Sequence, residues 1–385
     1  MKLRLSMYYF VFFLAAGTYF PFLSLYLKNE GFSGSEIGLI MAAGSVVGIF
    51  TNPILGMLSD ASKDYRRLIK LSIILSALCI NGFLFSDYFL PVLLTQIVVG
   101  VLSAPMVPVV DAIAVEQAPH HGYTYGQVRL WGAVGWTVMT FIAGSIFETI
   151  GFKFIFPAYA LLLLGLLAIV FTFPQLDRPK LSNRNIKDGI KVLLTSRAFV
   201  WFVILSMLNV SLIAMNMTYM PIYYEQLGYP ITFVGWSFGM AALIEVPLFI
   251  LVAKWIRRHG LIPFMTIGVF TYALKYFLMG FAPPAWLFIG LQLLDGIAFV
   301  FTVSAAMEIV NLLAPTNLKA TAQTLFGAVA GIAGVAGIIG SLVGGFVIDH
   351  QGPQYLFWMM GAVGFVIATL FMLFPNKEKY RLVPE

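Results

Sequence analysis

From the first residues to position 374, apolar runs of about 20 residues alternate with short polar turns. Twelve such runs fall near 6–27, 36–58, 68–87, 89–117, 127–148, 152–174, 197–226, 231–256, 261–281, 284–313, 318–348 and 353–374. Wound as an α-helix, a run of this length matches the hydrocarbon thickness of a bilayer, roughly 30 Å. A closed barrel would need alternating strands of about ten residues, a pattern the chain lacks. The periodicity predicts an all-α polytopic membrane protein of twelve transmembrane helices, numbered here as spans one to twelve.

Composition agrees. Hydrophobic residues make up 60% of the chain and charged residues 10%, against roughly 25% charged in a soluble domain. The first run continues past Ala15-Ala16-Gly17 to Tyr26, so it reads as a span and not as a cleaved signal. A lone Cys79 supplies neither a disulfide framework nor a metal cluster. The net charge of +6 invites a nucleic-acid partner, but its distribution removes that reading. Nineteen of the 23 Lys and Arg fall in the N-terminus, the even-numbered turns and the C-terminus. By the positive-inside rule both termini face the cytoplasm of a cell-membrane protein. No phosphate-binding loop, HExxH or GxSxG stands in a suitable context, which disfavours an ATP-driven pump or an enzyme and implies no cofactor.

The longest polar connection, between Pro174 and Arg197, is basic and divides the chain into an N-terminal bundle (1–175), a cytoplasmic linker (176–196) and a C-terminal bundle (197–385). Ile186–Leu194 is a candidate short amphipathic helix on the inner surface. The halves echo each other. Gly132-Ala133-Val134, Glu148-Thr149-Ile150-Gly151 and Phe156 in one correspond to Gly327-Ala328-Val329, Asp349-His350-Gln351-Gly352 and Phe357 in the other. Two such six-helix pseudo-repeats suit a secondary transporter that binds its solute near midbilayer.

Five charges lie inside these apolar runs: Asp111, Arg129, Glu245, Lys275 and Asp295. A charge at the centre of a membrane helix costs roughly 2.5–3.5 kcal/mol on insertion scales and marks either a polar pathway or a neutralising partner. Asp111 and Arg129 are equidistant from residue 120 in the turn between spans four and five, so antiparallel packing brings them to similar depth. Trp136 lies two turns beyond Arg129 on the same face. Carboxylate, guanidinium and indole together can hold a polyhydroxylated ring; a structural ion pair is the alternative. In the second half Glu245 and Lys275 are equidistant from Gly260, and Lys275 and Asp295 from residue 285. All three are expected in one layer, where two acids sharing a lysine form a proton-handling device or simply tie helices together. Gln292, one turn before Asp295, adds a neutral hydrogen-bonding group.

The turn between spans two and three reads Gly56-Met57-Leu58-Ser59-Asp60, then Lys63, Arg66 and Arg67. It resembles the signature loop of the major facilitator superfamily. Tyr19-Phe20-Pro21-Phe22 with Tyr26-Leu27, and Gly126 to Trp136, resemble the first and fifth helices of its lactose-permease group. The latter block is also similar to the phenylpropionate-permease and nucleoside:proton-symporter groups. The resemblance implies the major facilitator fold, with Gly56, Asp60, Arg66 and Arg67 as a conformational gate. It implies a substrate site from Asp111, Arg129, Trp136, Tyr19 and Ala133, the last in place of a cysteine. Departures occur in the second half: Lys275 stands for an arginine and Asp295 for a histidine. Ala298 replaces the family's proton-carrying glutamate, and Gly331 a lysine.

The expectation is a monomeric secondary transporter that takes up a small polar solute, such as a sugar or nucleoside, by proton symport. Glu245, Lys275, Asp295 and Gln292 would couple the proton. An aromatic-acid permease, an exporter or a nontransporting receptor are the alternatives. Single cysteines in a Cys79→Ser background test the orientation. A cysteine at Asn185 should react with an impermeant maleimide only after the membrane is opened, and labelling of intact cells overturns the assignment.

Overall fold

The computed structural model describes the backbone of residues 1–61, 65–173, 186–315 and 318–374, and the side chains of all of these except 50–61, 65, 119–120, 186–189, 253, 257 and 320. Among the described residues every regular element is helical. Ten helical stretches are long and apolar enough to cross a membrane, and Gly34–Ile49 adds a shorter apolar helix within Gly34–Ala61. The last stretch, Thr321–Met372, has 52 residues, about 78 Å if straight and far too long for one crossing. Gly352, at φ 80°, with Pro353 turns it back on itself. Among the described residues the total is therefore twelve spans, as the hydrophobic pattern predicts.

Three spans expected to be continuous are broken. The first ends at Tyr19 and resumes at Leu23, because Pro21 has no amide to donate and its ring crowds the preceding turn. The fourth stops at Ser103 and restarts at Met106 around Pro105 for the same reason. The eleventh stops at Ala330 and restarts at Val335 without any proline, across Gly331-Ile332-Ala333-Gly334. Pro221 and Pro247, by contrast, stay inside unbroken helices. In the connection between the halves, Ile186–Thr195 is helical as its amphipathic pattern suggests, while 174–185 lie outside the described residues.

The chain divides into two compact units, Met1–Ser182 with Tyr224–Gly239, and Asn183–Tyr223 with Met240–Glu385. The repeat motif reappears as backbone geometry: Gly151 in one unit and Gly352 in the other both carry positive φ, 108° and 80°, at matching turns. In the first unit Lys153 pairs with Glu30 at 3.3 Å. Glu148 accepts hydrogen bonds from the backbone N–H and hydroxyl of Thr232, which holds the 224–239 segment to that unit.

Close helix approach positions the interior. A β-carbon on Gly135 would lie 2.2 Å from Phe10 O, so the first and fifth spans meet backbone to side face. One on Gly132 would lie 2.7 Å from both Arg129 Nη1 and the Phe13 ring. In the second unit Gly296 stands equally close to Ala241 O, at 2.4 Å from its would-be β-carbon, which sets the tenth span against the eighth. Gly135→Val should force the first and fifth spans apart and cost about 1–3 kcal/mol of overpacking, seen as an earlier thermal unfolding midpoint in detergent. Gly165→Val, with open space around it, should leave the midpoint nearly unchanged.

Candidate functional site

The first unit gathers Asp111 and Arg129 with three aromatic residues. Asp111 Oδ1 accepts hydrogen bonds from Tyr9 Oη at 2.6 Å and Tyr125 Oη at 3.1 Å. Tyr125 stands four residues before Arg129, on the same helix face. Arg129 places its guanidinium carbon 4.2 Å from the Phe13 ring centroid and 5.5 Å from that of Tyr9. The acid and the base share a cluster, but the ion pairs among the described residues are Glu30–Lys153 and Lys275–Asp295. Neutral hydroxyls hold the carboxylate and aromatic faces hold the half-buried guanidinium in a cation–π arrangement. Both groups thus keep hydrogen-bonding capacity for a third party.

Trp136 is half-buried, seven residues and about 10 Å along the helix from Arg129. Its backbone carbonyl lies against Gly17. Ala133, between the two, is half-buried and accepts a hydrogen bond from Thr137 at 2.8 Å. Trp131, half-exposed, packs edge-on against Phe10. Tyr19 is placed differently from the rest. It is buried among Phe83, Phe156 and Tyr159, with its hydroxyl donated to Gln96 Oε1 at 2.8 Å. Ten residues from Tyr9, it lies about 15 Å along the first span from the Asp111 cluster.

In the second unit Lys275 is wholly buried and its ammonium bonds Asp295 Oδ1, with Asn216 Oδ1 at 3.5 Å. Such a pair survives only because desolvation is offset by a partner of opposite charge and a further oxygen. Glu245 makes no ion pair or hydrogen bond among the described residues. It directly follows the Ala241–Ile244 stretch that packs on Gly296, which is next to Asp295 in sequence. Gln292 is buried and donates to Phe288 O at 3.2 Å. Tyr272 and Tyr276 flank the lysine as a stacked pair, centroids 5.7 Å apart, and their buried hydroxyls have no hydrogen-bond partner among the described residues.

Sequence reading did not single out Tyr9, Phe13, Tyr125, Asn216, Tyr272 or Tyr276. Of these Tyr125 and Tyr276 carried a signal, since one lies a turn from Arg129 and the other beside Lys275. At the turn between spans two and three, Arg66 Nη1 donates to Phe173 O at 3.3 Å and Arg67 is exposed. Gly56 and Asp60 belong to the helix Gly34–Ala61, and their side chains, like all of Lys63, lie outside the described residues.

Residues 2–359 match the MFS_1 like family. The chain belongs to that family. It is a multi-pass membrane transporter of the major facilitator type and not an enzyme. The chain is 28% identical over 377 residues to the maltose permease of Geobacillus stearothermophilus, covering 96% of this chain and 94% of that one. It is 26% identical over 364 residues to a probable 3-phenylpropionic acid transporter of Escherichia coli K12, covering 93% and 94%. The crystal structure of the nucleoside transporter NupG superposes with a TM-score of 0.86 over 97% of this chain and 98% of that one, at 17% identity, a likeness of fold alone.

The buried pair gives a double-mutant test. Lys275→Met should lower the unfolding free energy by about 3 kcal/mol, the order of cost when one member of a buried pair is removed. Adding Asp295→Asn should recover most of that loss. Independent, additive effects in guanidinium or thermal unfolding would mean that the two charges are not coupled.

Proposed function

We propose that the transporter takes up a small polar solute, a sugar or nucleoside, together with a proton, by alternating access, with both termini in the cytoplasm. The observation that carries this reading is the separation of two charge clusters of different character. In the first unit Asp111 and Arg129 are held by hydroxyls and rings, so a solute's hydroxyls can engage both. A carboxylate accepts from two adjacent hydroxyls and a guanidinium donates in a planar fork, while Trp136 offers an aromatic face for the apolar side of a ring. In the second unit Lys275–Asp295 is self-neutralising, with Glu245 as a second acid on the neighbouring span. Protonation of an acid would release the lysine, so solute and proton each favour the states that reorient, and that difference in affinity is the coupling. The inner turn carrying Asp60 and Arg66 would act as a latch on one state. The maltose permease, alignable over 96% of this chain, supports the sugar class by relation.

One observation favours a second reading. Arg129 lies over Phe13 and Tyr9 and makes no ion pair among the described residues. A guanidinium so placed also suits the carboxylate of an aromatic acid, the solute named for one relative.

Uptake of a panel of labelled sugars, nucleosides and aromatic carboxylates into energised vesicles separates the two readings. Arg129→Lys keeps the charge but loses the planar fork, and solute affinity should fall by about tenfold or more, roughly one bidentate hydrogen bond. Trp136→Tyr should be milder than Trp136→Ala. The charge-balanced variant Lys275→Met/Asp295→Asn should still exchange solute downhill but fail to accumulate it. Normal binding in all the first-unit variants would make that cluster structural. Normal accumulation in the second-unit variant would remove the coupling site.

A further inference from the structure

The connection between the halves ends in a helix, Ile186–Thr195, that none of the roles above uses. One residue, Ser196, separates it from span seven, which starts at Arg197. Ser196 Oγ accepts a hydrogen bond from Phe199 N–H at 3.4 Å, an N-cap on span seven that turns the chain at this point. Two residues mark the level of the junction in the membrane. Trp201, 56% exposed, stands one turn beyond the exposed Arg197 on the same face, and tryptophan at a span end belongs to the lipid–water interface. The linker helix therefore departs from headgroup level.

One side of this helix is occupied. Leu193 is buried, Ile190 is half-buried, and the helix packs against Lys319–Ala330 of span eleven. Two apolar side chains stay outside that contact, Val192 and Leu194. At about 100° per residue they lie on opposite flanks of Leu193, roughly 160° apart. Leu194 stands about 60° from the exposed Lys191, and Val192 about 60° from the exposed Thr195. Only the Leu194 flank pairs an apolar chain with a lysine, whose stem can lie along lipid while its ammonium reaches the headgroups. Lys191 and Arg197 make no ion pair among the described residues. At the same end of the second unit Lys254, Arg258 and Lys319 are exposed too, against one exposed carboxylate among the described residues, Glu308.

Charge and apolar surface together choose the occupant. A surface this basic repels a second copy of itself and attracts an anionic one. A soluble anion would satisfy Lys191 and Arg197 but leave Leu194 in water. We propose that the linker helix is a docking surface for anionic phospholipid, with Leu194 in the acyl boundary and Lys191 and Arg197 on the headgroup phosphates, and that docking anchors the adjoining part of span eleven. The break at Gly331–Gly334 separates Lys319–Ala330 from the rest of that span, so the position of this segment depends on what packs on it. Neither the solute class nor proton coupling enters this assignment.

The test uses the full chain in nanodiscs, in a Cys79→Ser background, with an NBD fluorophore on Leu194→Cys or Val192→Cys. The quencher is a lipid with a nitroxide near the head of its acyl chain, supplied as phosphatidylglycerol or as phosphatidylcholine at equal mole fraction. At Leu194→Cys the phosphatidylglycerol quencher should be preferred by at least about fivefold, the worth of one basic residue at an anionic surface. The preference should vanish in Lys191→Gln/Arg197→Gln. It should also vanish for the unaltered cations in about 1 M salt, where screening is complete within roughly 3 Å. Val192→Cys should be quenched little by either lipid, and glycerol 3-phosphate should not compete. Amide hydrogen exchange across Lys319–Ala330 should be slower in phosphatidylglycerol nanodiscs than in phosphatidylcholine ones, and the difference should be lost in the double variant. Equal quenching by the two lipids, a preference that survives the double variant, or quenching at Val192→Cys equal to that at Leu194→Cys would overturn the docking surface. Competition by glycerol 3-phosphate would replace it with a soluble-anion site. No quenching at Leu194→Cys by either lipid is the outcome expected if protein covers the helix, and it too overturns the assignment. Exchange that ignores the lipid would remove the anchoring of span eleven.

Discussion

Inside a bilayer no water is available to satisfy a free amide or carbonyl, so each span must close its own hydrogen bonds. That constraint accounts for an architecture of helices and also for where the exceptions fall. Pro221 and Pro247 are absorbed by helices that continue past them. Pro21 and Pro105 end helices, and the chain restarts within a few residues. The eleventh span breaks at Gly331–Gly334 beside a protein-lined cavity, the kind of setting in which irregular backbone at membrane depth is tolerated.

Small residues then decide which side chains meet. The seam of the first and fifth spans at Gly132 and Gly135 is narrow enough for Phe13 and Tyr9 to cover Arg129. At Gly296 the tenth span presses on the eighth and brings the stretch before Glu245 beside that of Asp295. The two units solve the problem of a buried charge by different means. Asp111 and Arg129 are held by neutral hydroxyls and aromatic faces. Lys275 is held by a carboxylate and an amide oxygen. The first solution leaves electrostatic capacity for a guest, whereas the second consumes it and so is sensitive to any event that neutralises Asp295.

What was legible in the chain follows from how locally each feature is encoded. Span number, the amphipathic helix after the linker and the turn glycines depend on periodicity and on single-residue conformational preferences, and all could be read directly. Lys275 and Asp295 could be matched because a short turn joins antiparallel helices, so equal distance from the turn means equal depth. The same argument put Asp111 and Arg129 at one level but not in direct contact. Tyr9, 102 residues from Asp111, takes the bond that an ion pair would have used. Tyr19, grouped with the substrate residues by resemblance, lies in an aromatic core with Gln96, since its depth and rotation on the first span are set by what surrounds it.

The sequence by itself determined that this is a twelve-span helical transporter with charges at membrane depth, because hydrophobic length, charge count and the signature turn are properties of contiguous residues. Tertiary structure alone decided that Asp111 is held by tyrosines, that Lys275 has Asn216 beside it, and that the eleventh span opens at four residues next to a cavity. Glycine in a membrane helix reads equally as packing surface or as hinge. Only the neighbours brought in from other spans determine which backbone amides keep their helical partners.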